Sequence, residues 1–474
     1  MTIHSLTLRD DHLAQLRAHL LRDDGCEHAA YLLCNVASIR NDPWERQAHR
    51  KYLSAKVIPV ADDQVVESTP VLVTWSTASF VRALREAAAN KQVVAVFHNH
   101  PPGMAGFSGQ DDANEPDLVR LAVNRNGPDT NLLSVILTAD GQLAGRVWLQ
   151  PRKNAHEPLR MVRVIGESWQ LHYQGRSAGA SLPAFHRQAL AFGEALNHDL
   201  RKLRIGIVGC GGTGSATAML LARLGVGQLV LIDNDIVDQT NLNRLHGSRQ
   251  ADADAMRPKV EVVAHAIAEM GLGVRAVPIE AWVGDPACRD ALRACDVIFG
   301  CTDDHEGRLL LNRFAYYYLV PVIDIGLAID VDDGEPPSVK ALDGRVTVIA
   351  PFHTCLLCRG VINAEIARSE AMRRTSPEEY EQRKAEAYVV GEGNPAPAVV
   401  TFTTELACMG VNELIHRLQG FRGPDGAAAN RVRKFHLGED RRPGHKPGGP
   451  ACPVCSGNTV WGKGDVDPFL GRID

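Results

Sequence analysis

A glycine-rich loop between two apolar segments constrains the fold of this chain more than any other feature. Arg204 to Val208 has the alternating, branched composition of a buried parallel strand, and Val230 to Ile232 reads as a second strand. Between them the sequence reads GCGGTG and then continues small and apolar at helical spacing, from Thr213 to Leu224. This order predicts a β-loop-α-β unit, in which glycines let backbone N–H groups and a helix N-terminus approach phosphate oxygens. The loop glycines are Gly209, Gly211, Gly212 and Gly214.

Polar residues follow the predicted strands where open α/β sheets bind ligands. Asp233 ends the second strand, at about the distance from the loop where a carboxylate meets a ribose hydroxyl. Further polar and charged residues come after it, namely Asp235, Asn241, Arg244, Lys259 and Asp303. Two cations with an extra carboxylate suit a nucleoside triphosphate and magnesium better than a nicotinamide. An ordinary dinucleotide-binding oxidoreductase is the alternative interpretation.

These motifs resemble those of the ThiF/MoeB/ubiquitin-activating adenylyltransferases, over about residues 185 to 418. The family loop GxGGxG stands here as GCGGTG, and D-x-D-x-V-x-x-x-N-L-x-R stands as DNDIVDQTNLNR. The resemblance implies that Asp233 holds the ATP ribose and that Asp303 holds magnesium. It assigns the phosphates to Asn241, Arg244 and Lys259. The family's N-R-Q run stands here as HRQ, so Arg187 matches its arginine. The resemblance implies a homodimer in which Arg187 reaches the partner's ATP.

The rest of this half alternates helices and strands from Pro258 to Ile325, which predicts a mostly parallel, doubly wound Rossmann-like sheet. The N-terminal third mixes both elements without this alternation, so we expect an α+β domain there. The fold class is therefore α/β, with an N-terminal α+β domain.

The run HNHPPGMAGFSGQDD follows a short apolar strand in the N-terminal third. His98 and His100 are two residues apart and should point the same way, because strand side chains alternate. With Asp111 they offer three zinc ligands and leave an open position for water. Ser108 could hydrogen-bond a bound water or an oxyanion, and Glu27 is the candidate carboxylate base.

This set resembles the JAB/MPN (JAMM) metalloprotease pattern of a glutamate, H-x-H-P and S-x-x-D, over about residues 1 to 160. The resemblance implies a catalytic zinc and cleavage after the C-terminal glycine of a ubiquitin-like protein. The alternative is a metal-free domain that only binds the ubiquitin-like fold.

Two CxxC pairs predict a structural zinc site in the second half, because two such turns complete a tetrahedron of thiolates. The four residues are Cys355, Cys358, Cys452 and Cys455. ThiF/MoeB-type enzymes carry a similar split pair; a redox role is the second interpretation. No cysteine lies between Cys358 and Cys408, and the periodicity around Cys408 indicates packed core. The chain is therefore expected to stop at an acyl-adenylate and to pass it to a conjugating enzyme or a sulfur donor.

The net charge of −5 argues against a nucleic-acid or anionic-membrane binder. No transmembrane run or signal peptide is visible, so we expect a cytoplasmic protein whose 11 cysteines do not form disulfides.

The predicted domains are residues 1–165 (metalloprotease), 166–183 (linker), 184–440 (adenylyltransferase) and 441–474 (a tail with the second zinc knuckle). The predicted function is bifunctional: zinc-dependent processing or deconjugation of a ubiquitin-like protein, and ATP-dependent adenylation of its C-terminal glycine. The alternative is activation of a sulfur-carrier protein for thiocarboxylate formation.

Overall fold

The computed structural model describes residues 2–104, 106–149, 155–174, 182–332, 334–385, 397–444, 452–456 and 459–470. A nine-stranded mixed sheet forms the N-terminal half, in the order β11-β10-β1-β3-β2-β6-β7-β8-β9. Its strands are β1 (Ile3–Arg9), β2 (Ala29–Ile39), β3 (His49–Pro59), β6 (Val93–His100), β7 (Leu132–Thr138), β8 (Leu143–Trp148), β9 (His156–Pro158), β10 (Met161–Ile165) and β11 (Gln170–Tyr173). A separate hairpin pairs β4 (Val65–Thr69) with β5 (Leu72–Trp75).

Helices cover both faces of the nine-stranded sheet: α1 (Asp10–Leu20) lies on one face, and α2 (Thr77–Ala89) and α3 (Gly109–Asn126) lie on the other. Strand alternation explains why two cores form. On β6, Ala95 and Phe97 pack with the core that includes α1, while Val94 and Val96 pack with the core that includes α2. The mixture of parallel and antiparallel pairs agrees with the predicted α+β character.

The second half contains an eight-stranded sheet in the order β14-β13-β12-β15-β16-β17-β18-β19. Its strands are β12 (Arg204–Val208), β13 (Gln228–Asp233), β14 (Arg275–Glu280), β15 (Val297–Gly300), β16 (Val322–Val331), β17 (Val339–Ile349), β18 (Asn430–Lys434) and β19 (Glu439–Arg441). The strands β12 to β16 pair in parallel, as the alternating pattern predicts. The sheet then continues with three antiparallel strands that local periodicity did not indicate.

The helices of this half are α4 (His186–Lys202), α5 (Gly212–Leu224), α6 (Gln250–Asp254), α7 (Lys259–Glu269), α8 (Pro286–Ala294), α9 (His305–Tyr318), α10 (Ala364–Thr375), α11 (Pro377–Ala385) and α12 (Val400–Gln419). Single 3-10 turns lie at Asp62–Gln64, Pro183–Phe185, Gln239–Asn241 and Phe435–Leu437. No described helix combines the length and the apolar composition needed to cross a bilayer.

The two halves share one hydrophobic core and a buried polar network. Arg204 Nη1 lies 2.6 Å from Asp42 Oδ2, and neither side chain is exposed by more than 1%. Arg163 donates to the backbone oxygens of Asp296 and, at 2.8 Å, Leu319. These buried contacts cross the boundary between the domains, and removing one partner would leave an uncompensated buried charge.

The segment 459–470 also joins the two domains. The carbonyl of Gly462 accepts from Asn35 Nδ2 at 2.8 Å in the first domain. Asp465 accepts from the second domain, where Arg293 Nη1 lies 2.7 Å from its Oδ1. The first sheet extends into the segment predicted as linker, because β11 pairs with β10.

Strand β2 runs from one candidate site to the domain interface. Its first residue, Ala29, pairs with His98, and Ile39 at its far end belongs to the shared core. Ten residue steps of about 3.3 Å make this span about 33 Å. On the other side of the interface, β12 begins at the buried Arg204 and leads to the glycine loop at Gly209. The two candidate sites therefore lie at opposite ends of this path.

Candidate active sites

The end of β6 and the start of α3 bring three potential metal ligands together. One ligand atom from each of His98, His100 and Asp111 lies within 4.8 Å of the others. The two imidazole Nε2 atoms are 3.0 Å apart, and His98 Nε2 lies 3.2 Å from Asp111 Oδ1. The alternation of β6 side chains produces the imidazole pair, as the sequence predicted.

The donor set fits a zinc ion. The Nδ1 of His100 lies 3.1 Å from the carbonyl of Met104, a contact that leaves Nε2 as the ligand atom. Burial alone would raise the pKa of Asp111, but hydrogen bonds from His98 and Ser108 outweigh it and hold that pKa well below its usual range. Two neutral nitrogens and one carboxylate are a typical ligand set of a catalytic zinc.

Ser108 caps α3 and holds Asp111. Its backbone N–H and hydroxyl donate to Asp111 Oδ2 at 2.6 and 2.8 Å, and its oxygen accepts from the Asp111 N–H at 3.2 Å. This capping box fixes the carboxylate where α3 begins. A direct role of the hydroxyl toward an oxyanion would require its proton to turn away from Asp111.

Glu27 lies beside the ligand cluster, with Oε1 3.7 Å from His100 Nε2. Burial raises its pKa to about 7; the charge of Asp111 acts in the same direction and that of His98 opposes it. The predicted base is thus adjacent to the predicted ligands. Sequence reasoning missed Asn99, whose side chain bonds to the backbone on both sides of Glu27, and nothing in the H-x-H pattern itself indicates that role.

The glycine loop folds tightly between β12 and α5. Gly209 has φ +86°, and a Cβ there would lie 2.8 Å from the backbone of Cys301. A Cβ on Gly214 would lie 1.7 Å from the Gly209 carbonyl. Gly211 in contrast faces open space, with nothing within 4 Å of such an atom. The loop therefore leaves backbone exposed at the N-terminus of α5, where a phosphate could approach.

Acidic residues at the end of β13 organise the rim of this loop. Asp233 accepts from the Cys210 N–H at 2.6 Å and from the Asp235 N–H at 2.8 Å, and its burial raises its pKa. Lys259 Nζ donates to Asp235 Oδ2 at 2.7 Å. The predicted ribose ligand and the predicted phosphate ligand thus share one cluster.

Of the remaining predicted nucleotide residues, Arg244 contacts the glycine loop directly. Arg244 packs against Gly212, where a Cβ would lie 3.4 Å from the arginine side chain. Asn241 is buried, and its Oδ1 accepts from the Asp238 N–H at 3.3 Å. Asp303 is exposed just beyond β15, which pairs with β12. Arg187 is exposed on the first turn of α4.

Two charged residues next to Asp303 have structural partners. Asp304 caps α9 by accepting from the Gly307 N–H at 2.7 Å. Arg308 Nε lies 3.5 Å from the buried Asp324. These contacts leave Asp303 as the exposed carboxylate of the CTDD run.

The four predicted cysteine ligands converge. Cys355 and Cys452 bring their sulfurs to 3.8 Å, as do Cys358 and Cys455. All four sulfurs lie within 4.8 Å of one another. Zinc–sulfur bonds of about 2.3 Å in a tetrahedron give a sulfur separation of about 3.8 Å, so the cluster fits zinc. Cys408, predicted as packed core, is only partly buried on α12.

These features define a two-domain α/β protein. It has a Rossmann-like domain with a glycine-rich loop, and it has two candidate metal sites. Family models identify the same regions: the ThiF family model matches residues 185–455, and the model for prokaryotic homologs of the JAB domain matches residues 9–149. The chain belongs to the ThiF family and carries a JAB domain fused on its N-terminal side.

Curated relatives match only part of the chain. The molybdopterin-synthase adenylyltransferase of Salmonella typhimurium is 34% identical over 33% of this chain and 59% of its own length. The SAMP-activating enzyme E1 of Haloferax volcanii is 28% identical over 33% of this chain and 52% of its own. The chain thus spans between about half and three-fifths of these relatives. The solved structure of E. coli MccB with succinimide has a TM-score of 0.43 at 18% identity, covering 58% of this chain and 75% of that one.

Proposed function

We propose that this protein is a bifunctional enzyme that acts on the C-terminus of a ubiquitin-like protein. The N-terminal domain is a zinc-dependent peptidase or isopeptidase, and the C-terminal domain adenylates a terminal glycine with ATP. The observation that carries the proposal is the cluster of His98, His100 and Asp111 beside Glu27, in the same chain as the glycine loop.

In the peptidase, His98, His100 and Asp111 would hold the zinc ion. Once bound, the ion would supply Lewis acidity toward a water molecule and a carbonyl group. Glu27 accepts the proton from the attacking water and transfers it to the leaving amine. Ser108 fixes Asp111, and its hydroxyl is the candidate donor to the developing oxyanion.

In the adenylyltransferase, the substrate's terminal carboxylate attacks the α-phosphorus of ATP and pyrophosphate leaves. Asp233 binds the ribose, and the loop amides near Gly211 bind phosphate oxygens. Arg244 and Lys259 offset the phosphate charge, with Asn241 assisting, and Asp303 would hold magnesium.

Two features extend this proposal to assembly and to the next step. Arg187 points to a homodimer in which it contributes to the partner's nucleotide site. The sequence holds no cysteine between Cys358 and Cys408 that could take the acyl group as a thioester. In our proposal the acyl group passes directly from the adenylate to a nucleophile on another protein, and AMP leaves.

A second candidate keeps both chemistries and changes the pathway: the acceptor is a sulfur donor and the product a thiocarboxylate. The names of several relatives favour it, including the pig adenylyltransferase and sulfurtransferase MOCS3, 38% identical over 22% of this chain and 23% of its own length. Thiocarboxylate formation with a sulfur donor would favour this pathway, and an amide bond to lysine would favour conjugation.

Adenylation is tested by ATP–pyrophosphate exchange with candidate proteins ending in glycine. Arg244→Ala and Asp303→Ala should each lower exchange by about 100-fold or more, because they remove charge from the transferring phosphates. Asp440→Ala, on the distant strand β19, is the matched control. Unchanged exchange in both site variants would refute the assigned site.

The peptidase is tested separately with a ubiquitin-like fusion carrying a peptide after the terminal glycine. Glu27→Gln and His100→Ala should abolish cleavage while exchange continues, because the two sites are separate in the fold. Cleavage that survives His100→Ala would refute the metal mechanism and leave the adenylation proposal untouched.

A further inference from the structure

A cleft lies where the two domains meet, and it includes no residue of either candidate active site. Its volume is about 370 Å³. Arg160 and Tyr173 line it from the first domain, and Lys202 and Gln228 line it from the second. Neither the proposed peptidase nor the proposed adenylyltransferase uses these residues.

Two hydrogen-bond donors in this cleft have no acceptor among the residues that the structure describes. Arg160 Nη2 donates to the carbonyl of Lys202 at 2.9 Å, but its Nη1 is buried without a partner. The hydroxyl of Tyr173 is likewise buried and unpartnered, and the residue is only 8% exposed. Buried donors in native proteins are nearly always paired, so a ligand with acceptor oxygens is the natural complement.

Two cationic side chains contact the Tyr173 ring at the cleft. Lys202 Nζ lies 5.2 Å and Arg160 Cζ 5.7 Å from the centre of the Tyr173 ring. Of the two carboxylates that act on Tyr173, Asp199 and Asp296, neither lines the cleft. Asp296 has Arg163 Nη1 at 3.8 Å, and its charge also acts on Arg160 from behind the cleft.

We propose that this cleft binds a small phosphate-type oxyanion, inorganic phosphate or pyrophosphate, that bridges the two domains. The fork of the Arg160 guanidinium matches the geometry of phosphate oxygens, and the Tyr173 hydroxyl supplies a further donor. Lys202 adds a positive charge from the second domain. A bound anion would therefore strengthen the contact between the domains.

The test is calorimetric titration of the full-length protein with inorganic phosphate and, separately, with pyrophosphate. Arg244→Ala and Lys259→Ala are present throughout, so that the nucleotide loop does not contribute binding. On this background Arg160→Gln should raise the Kd at least about tenfold, and Tyr173→Phe about threefold or more. The matched control is Arg120→Gln, since Arg120 is an exposed arginine of α3.

The site is supported if phosphate or pyrophosphate binds and both variants raise its Kd as expected. The anion with the lower Kd is then the ligand of the site. No saturable binding of either anion, or an unchanged Kd in Arg160→Gln and Tyr173→Phe, would overturn it. Tyr173→Phe preserves shape, so it decides the question even if Arg160→Gln folds poorly. Binding is measured without ATP or a protein substrate, so the result is independent of the proposed activities.

Discussion

Asn99 holds the backbone on both sides of Glu27. Its Oδ1 accepts from the His28 N–H at 2.6 Å, and its Nδ2 donates to the Cys26 carbonyl at 3.0 Å. Because Asn99 lies between His98 and His100 on β6, one short run of this strand places the candidate base against both imidazoles. The candidate base and both imidazoles are thereby tied to one strand of the first sheet.

Asn99→Ala should lower peptidase activity by about 10- to 100-fold while the zinc content stays unchanged, because supporting residues orient the groups that react. Cleavage kinetics and metal analysis on the same preparation measure both effects. Asn90→Ala, which removes a similar side-chain bond at the end of α2, is the control. Full activity in Asn99→Ala would show that Glu27 does not need this support.

The chain should bind two zinc ions, one at each ligand cluster. His100→Ala and Cys455→Ser should each retain one, and Cys408→Ser should retain two. The melting temperature should fall more in Cys455→Ser, because the four thiolates join segments far apart in the chain and structural zinc contributes folding energy. Mass spectrometry of native protein counts the ions. One zinc in wild type would contradict the assignment of two sites.

Gly211 and Gly214 should respond differently to alanine. Gly214→Ala places a Cβ 1.7 Å from the Gly209 carbonyl, so the loop must shift and the melting temperature should fall by several degrees. Gly211→Ala meets open space, so stability should stay near wild type while pyrophosphate exchange falls, because the new methyl group occupies the phosphate approach. Equal stability in the two variants would contradict the loop geometry.

Acid should destabilise the first domain through buried histidines. Burial lowers the pKa of His4 and of His12 to about 4, and that of His49 to about 3. Their pKa values in the folded protein are thus below the unfolded value of about 6.5. As the pH falls from about 6.5 toward 4, the unfolded chain binds protons first, and stability declines by up to about 1.4 kcal/mol per pH unit for each histidine.

Denaturant unfolding of zinc-loaded protein between pH 7 and 5 measures this slope. His4→Gln should make the slope shallower, whereas His265→Gln, an exposed substitution on α7, should leave it unchanged. An identical slope in wild type and His4→Gln would contradict the assignment.

A cleaved substrate should leave the protein before it is adenylated. The path between the sites follows β2 for about 33 Å and then β12, across a domain contact that includes the buried Arg204–Asp42 pair. We therefore expect a terminal tail bound at the first site to dissociate before it reaches the second. In a coupled assay, a labelled precursor is cleaved in the presence of excess unlabelled mature substrate. The labelled fraction of the adenylate should then equal the labelled fraction of all mature substrate in solution. Undiluted label would indicate direct transfer.

Local sequence determined the elements that carry chemistry. The GCGGTG loop and its flanking strands, the imidazole pair at the end of β6 and the two CxxC turns were all predictable, because the constraints act over a few residues. The family resemblances derived from these motifs are confirmed. The assigned role of each residue is still a prediction.

Tertiary structure alone decided the rest. Strands β1 and β3, the antiparallel extension of the second sheet and the strand β11 within the predicted linker depend on pairing partners distant in sequence. The same holds for Asn99, whose role exists only because Glu27 packs against β6, and for Arg163 and Arg204, whose burial no local pattern reveals. Sequence periodicity reports which face of an element is apolar, whereas the identity of the element it packs against is set by long-range contacts that form only in the folded chain.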